Sequence, residues 1–200
     1  MAPRLGQTRE HILDTAYQLF YEHGFVRASL DAIAARAGVT KRTLYYHFDS
    51  KDRLLAEVLD HHSGMALRRI EEWAARLDGD AVGFVEGYFA EIAAWSSRKR
   101  WEGPGYTRLV MELADLPGHP ARAVASRHKA AVEGHLVAEF ARRGEPLRAG
   151  ELARILGVLA EGAMALTLVH GGTGYIAAAA QAMRVILSAE APPRSNGCPE

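Results

Sequence analysis

Residues 25–51 read FVRASLDAIAARAGVTKRTLYYHFDSK, a stretch that codes for two short helices joined by a tight turn. Ser29 is placed to cap the first helix by offering its hydroxyl to a free N–H of the first turn, after which Leu30, Ile33, Ala34 and Ala37 recur at helical spacing. Gly38 ends that helix, because a residue without Cβ enters the left-handed conformation at little steric cost. Thr40 caps the second helix, and Val39 and Leu44 supply its inward contacts. Lys41, Arg42, Thr43, Tyr45, Tyr46 and His47 are left facing out. The small side chains of Ala34, Ala35 and Ala37 let the two helices cross closely. These are the demands of a helix-turn-helix, whose second helix fits the major groove of duplex DNA.

An ordinary helical hairpin with a solvated face is the plainer reading, and the choice of exposed residues argues against it. Two tyrosines and a histidine beside Lys41 and Arg42 suit a phosphate-lined groove. There cations neutralise charge, hydroxyls bond phosphate oxygens and aromatic edges touch thymine methyls. Lys41, Arg42 and Tyr45 are the candidates for base edges. Ser29, Thr40, Thr43, Tyr46, His47 and Lys51 are the candidates for phosphates, Lys51 also standing near the positive N-terminus of the next helix.

Two stretches, ILDTAYQLFYEHGF at 12–25 and SLDAIAARAGVTKRTLYYHFDSKDRLL at 29–55, resemble the N-terminal domain of the tetracycline-repressor (TetR) family of bacterial transcription regulators. The phrase TLYYHFDSKDRLL is highly specific to that family. Beyond residue 60 the resemblance extends only to helical architecture and length. It implies a homodimer that binds a near-palindromic DNA operator and is released from it by a small-molecule effector.

Composition agrees with that expectation without demanding it. The chain has 200 residues, 48% of them hydrophobic, enough for a substantial core. Its 24 basic and 24 acidic residues cancel, so net charge does not announce a nucleic acid. Locally, Arg27, Arg36, Lys41, Arg42 and Lys51 outnumber Asp31 and Asp49, with Arg4 and Arg9 nearby. The lone Cys198 has no intramolecular partner, and in a loose tail it reads as incidental. No run of eighteen uninterrupted apolar residues occurs and MAPRLGQTRE lacks an apolar signal core, so a cytoplasmic protein with no membrane partner is expected.

The pattern predicts an all-α chain of about nine helices. A three-helix helix-turn-helix DNA-binding domain spans 1–50, and helix four, from 51, links it to a larger effector-binding and dimerisation domain at 51–190. A disordered tail follows at 191–200. The helices are expected at 8–23, at the reading pair, then at 51–76, 80–97, 106–116, 120–143, 148–170 and 173–189. Helices eight and nine, rich in Gly and Ala, are expected to meet their copies across a two-fold axis as a four-helix bundle. The alternative is that they are the domain's own core.

Helices four to eight hold aromatic and apolar residues from which a small-molecule pocket is built, and a ligand there would tilt helix four and spoil the spacing of the two reading heads. The lining candidates are Trp73, Tyr88, Phe89, Trp95, Met111 and Met164, with Glu112, His128 and Thr167 as polar groups. No metal is expected. His61 and His62 are adjacent and read as pointing to different faces, His128 and His135 are separated by Val132 at the intervening helical position, and no HExxH occurs. No cofactor is expected either, since G-x-S-x-G, G-x-x-x-x-G-K-[ST] and a strand-borne G-x-G-x-x-G are all missing, and catalysis is unsupported. Two rival readings stay open: a DNA-binding regulator or activator without an effector, and a helical enzyme or small-molecule carrier.

Overall fold

The computed structural model describes residues 5–99 and 101–189; the expected tail, Cys198 and Arg4 lie outside the described residues. Among those described there are nine helices and no strand: α1 (Leu5–His23), α2 (Leu30–Arg36), α3 (Lys41–His47), α4 (Lys51–Arg76), α5 (Ala81–Ser96), α6 (Gly105–Met111), α7 (Pro120–Arg142), α8 (Ala149–His170) and α9 (Gly174–Ser188). The all-α expectation holds.

Most helix starts are set by side chains that satisfy free first-turn N–H groups. Ser29 accepts from Ala32 N at 3.1 Å, Thr40 from Thr43 N at 3.0 Å, Ser50 from Arg53 N at 3.0 Å and Asp80 from Gly83 N at 3.0 Å. His119 plays a similar part for α7, its Nδ1 accepting from Ala121 N at 3.1 Å. Gly38 ends α2 with φ +65°, as its position in the sequence requires.

Two boundaries differ from the expectation by more than one residue: α1 begins at Leu5, three residues before the expected start at residue 8, and α6 ends early. α6 stops at Met111, five residues before the expected end at Leu116. Beyond it, Leu113 N bonds Val110 O, Ala114 N bonds Met111 O and Leu116 N bonds Leu113 O, a run of tighter i to i−3 turns in place of α-helical bonds.

The chain divides into two compact packing units, each made of separated segments: Met1–Glu72 with Arg100–Val132, and Trp73–Lys99 with Glu133–Glu200. This packing division differs from the division expected at residue 50, because the first part of α4, α6 and the first part of α7 pack with the helix-turn-helix. In the first unit, Ile12, Leu13, Ala16 and Phe20 of α1 join Ile33, Leu44 and Phe48 and the α4 residues Leu54, Leu55, Val58 and Leu59 in one core that also takes in Leu109 and Leu113. Each of the larger side chains contributes roughly 1.5–3 kcal/mol by leaving water.

In the second unit α9 packs on α5 and α8, and α8 also touches α5. Its aromatic core sets Phe84 edge-on to Phe140, with ring centroids 5.7 Å apart. The guanidinium of Arg143 is buried above the Phe84 ring and donates to the carbonyls of Ala74, Leu77 and Gly79 at 3.2, 2.6 and 2.9 Å. It thereby satisfies carbonyls at and just past the end of α4 that have no helical partner. Glu139 accepts from Arg143 Nε at 3.2 Å and from Arg142 Nε at 2.9 Å. Burial pushes its carboxyl up, but the hydrogen bonds and charges of Arg142 and Arg143 outweigh that and hold its pKa below the usual glutamate value.

α8 is long and apolar enough to cross a membrane by length and composition alone. It carries Glu161 within that length and packs through Leu152, Leu156, Ala160, Ala163 and Met164, as a core helix does.

Candidate nucleic-acid interface

The α2–turn–α3 segment has the geometry its residues imply. Ile33, Ala34 and Leu44 are buried, and Val39 packs partly buried against the same core. With Leu44 turned inward, the other side of α3 presents Lys41, Arg42, Tyr45 and Tyr46 to solvent, Tyr46 being 74% exposed. Thr43 and His47 are half-buried at the margins. The Thr40 and Thr43 hydroxyls lie 2.8 Å apart, so Thr43 helps hold the turn as well as bordering the exposed face. The His47 ring sits edge-on to Tyr46 at 5.2 Å, which restricts both rings before any ligand arrives.

Charge is distributed less generously than the residue count suggests. Lys41 pairs with Asp31 at 2.7 Å, and that hydrogen bond, with the carboxylate's charge, raises its pKa. Arg36 is bonded to Glu22 at 2.7 and 3.1 Å, while Arg9 and Arg53 share Glu57. Lys51 is turned back onto the loop after α1, where Nζ donates to the Val26 carbonyl at 3.2 Å and lies 4.3 Å from the centre of the Phe25 ring. Burial there lowers its pKa. Among the described residues, Arg42 and Arg27 are the cations of this segment with no hydrogen-bond or ion-pair partner. On α3, Arg42 is therefore the cation most available to a phosphate or base edge, and Ser29 and Thr40 have their hydroxyls engaged as caps.

Two residues outside the motif brace it. Arg108 of α6 donates to the carbonyls of Phe20 and Tyr21, capping the end of α1, and bonds Glu102 at 2.8 Å. The carboxylate of Glu112 accepts from Val26 N at 3.1 Å in the loop that leads to Ser29. Nothing local marked either residue for this role, since their partners lie more than eighty positions away.

The candidate ligand residues are distributed over both packing units. In the second, Trp73, Tyr88, Phe89, Met164 and Thr167 are buried and Trp95 is half-buried. Trp73 and Tyr88 meet edge-on at 6.2 Å, burial raises the Tyr88 hydroxyl's pKa strongly, and Thr167 Oγ1 is buried without a hydrogen-bond partner. In the first unit Met111 is 70% exposed and lines a cavity of about 740 Å³ with Tyr106, Val110, Arg122 and Lys129. Glu112 is committed to Val26. His128 is buried, stacked on Tyr106 at 3.9 Å, with Nδ1 2.9 Å from the Ser63 hydroxyl. A second cavity of about 390 Å³, in the other unit, is lined by Glu151, Arg154, Ile155, Val158, Leu159 and Ile186. Met111 is the one candidate that lines either of these two cavities.

His61 and His62 were expected on sequence to point to different faces. Both instead bring Nε2 to 3.5 Å from Asp14 Oδ1 on α1. A spacing argument within one helix could not see a ligand atom supplied by another.

Residues 12–58 match the family model described as bacterial regulatory proteins, tetR family. The chain is 38% identical over 76 residues to the HTH-type transcriptional regulator AcrR of Shigella flexneri, covering 38% of this chain but only 35% of that relative. The chain thus spans about a third of the length of that relative. It is 28% identical over 165 residues to the HTH-type transcriptional regulator UidR of Escherichia coli K12, covering 82% of this chain and 79% of UidR. The crystal structure of reduced E. coli NemR superposes with a TM-score of 0.77 at 22% identity, covering 90% of this chain and 96% of that one, a likeness of fold.

Proposed function

We propose that this chain, which belongs to the tetR family of bacterial regulatory proteins, is a cytoplasmic, homodimeric, sequence-specific DNA-binding regulator that represses transcription until a small molecule releases it. The observation that carries the reading is α3 itself: Leu44 is fully buried while Arg42, Tyr45 and Tyr46 face solvent from a helix capped at both flanks. Two such helices, one per protomer, would enter successive major grooves on one face of a near-palindromic operator, roughly 34–36 Å apart.

Dimerisation is supported by an apolar face on the second unit. Val158 and Val169, eleven residues apart and so on one side of α8, are 69% and 73% exposed, and Tyr175 and Val185 of α9 are exposed as well, large apolar side chains that a merely solvated helix pair does not need. A matching copy would cover it through α8 and α9. Release follows if an effector binds one protomer conformation more tightly than the other, and its effect is limited by that difference in affinity.

A second reading, a regulator without an effector, draws on the closed aromatic core in which Trp73, Tyr88 and Phe89 sit. Selection of operators from random duplexes by the full chain, repeated with a panel of apolar and aromatic small molecules, separates the two. Enrichment of one palindromic sequence that a compound abolishes supports ligand-released repression, and enrichment that no compound alters supports the second reading. Failure to enrich any duplex sinks both.

A further inference from the structure

We propose that Asp14, His61 and His62 form a binding site for a zinc-class divalent metal ion that ties α1 to α4 within the first packing unit. The three donor atoms, one carboxylate oxygen and two imidazole nitrogens, lie within 4.8 Å of one another. Each Nε2 is 3.5 Å from Asp14 Oδ1. In a tetrahedral shell with bonds of about 2.0–2.1 Å, neighbouring donors stand about 3.3 Å apart, so two of the three edges of such a shell are already close to length.

The orientation of His62 is the second, independent observation. Its side chain is only 10% exposed, and its Nε2 is buried with no hydrogen-bond partner, aimed at Asp14. A buried imidazole nitrogen left without a donor or acceptor costs stability unless something occupies its lone pair. At 3.5 Å the carboxylate is too far to be a good hydrogen-bond acceptor, but it is well placed to share a cation. Stacking on Tyr17, with ring centroids 3.8 Å apart, fixes the His62 ring in that direction.

Adjacent residues on a helix diverge by about 100°, yet the His61 and His62 rings stand at 90° to each other with centroids 5.1 Å apart, which lets their outer nitrogens converge. Two imidazoles and one carboxylate suit zinc and its borderline neighbours, whereas calcium and magnesium ask for oxygen shells. Asp14 is 54% exposed and leaves an entry path, and three protein ligands leave a fourth position to water. That is the build of a reversible site.

The inference concerns metal affinity alone, so its test is independent of DNA binding. The untagged full chain is titrated with Zn²⁺ by calorimetry and with Co²⁺ by visible absorption. One ion per chain is expected, with cobalt bands of four-coordinate intensity and no thiolate charge-transfer band. Asp14→Ala and His61→Ala alter partly exposed side chains and leave the core intact, and each is expected to weaken that site by at least about 10- to 100-fold. Zn²⁺ is also expected to raise the melting temperature of the parent chain and not of Asp14→Ala. Absence of a stoichiometric site, a thiolate band, or affinity unchanged in both variants overturns the proposal.

Discussion

The carboxylate of Glu112 occupies the space that a Cβ on Gly24 would need: such an atom would lie 2.7 Å from Oε1 and 3.0 Å from Oε2. Gly24 also has φ +81°, in the left-handed region that other residues enter only with strain. The turn between α1 and α2 is thus shaped jointly by a backbone that only glycine adopts easily and by a side chain that follows α6.

Gly24→Ala is therefore expected to destabilise the first unit by about 1–3 kcal/mol, through backbone strain and displacement of Glu112. Combining it with Glu112→Ala relieves the clash but not the φ, so the double variant should lose less than the sum of the two single losses. Urea denaturation measures all three; strictly additive losses would show that the two residues do not compete for space.

Arg42→Ala is expected to leave folding within about 0.5 kcal/mol of the parent while weakening operator binding by about 1–3 kcal/mol. Its loss on random duplex should be smaller. Lys51→Ala should behave differently, because the side chain holds the Val26 carbonyl and the Phe25 ring. It is expected to cost about 0.5–2 kcal/mol of stability. Equal losses for Arg42→Ala on operator and random DNA would make it a phosphate contact only.

Glu139 predicts an acid limit for the second unit. Its folded pKa is depressed, so the stability it contributes is fully present above the ordinary value of 4.5 and is lost as pH falls through the lower folded value. Chemical denaturation from near-neutral pH downward should show stability falling below about pH 4.5, with a shallower fall in Glu139→Gln. An unchanged slope in that variant would place the acid sensitivity elsewhere.

Val169→Glu and Val158→Glu put charges on the exposed apolar face of α8, where the parent side chains are 73% and 69% exposed. Folding of the protomer should be nearly unaffected, while sedimentation shifts from dimer to monomer and operator affinity drops. Persistence of a dimer in the double variant would move the interface away from this face.

Caps and breakers made the helices legible: Ser29, Gly38, Thr40, Ser50 and Asp80 each act locally, within four residues of the group they satisfy. The same locality explains what was missed. Arg36 and Lys41 count as positive in the sequence, yet Glu22 and Asp31 neutralise them across helix boundaries, which no composition window reveals. α6 ended early because the chain tightens after Met111 and Glu112 reaches back to Val26, eighty-six positions away. Convergence of His61 and His62 on Asp14 likewise depended on a neighbour supplied by another helix. The apolar composition of helices four to eight was legible as buried residues, but burial alone did not distinguish a packed core from a ligand's walls.

The interleaved makeup of the first packing unit bears on how its helix-turn-helix could be moved to another protein. A graft that moves only the leading seventy residues onto another scaffold would leave the end of α1 without Arg108 and the Val26 amide without Glu112. A transplant that keeps the reader's stiffness must carry Arg100–Val132 as well. The same arrangement orders events on the ribosome, where the first unit cannot close until its second segment has been synthesised, after the α5 segment of the other unit.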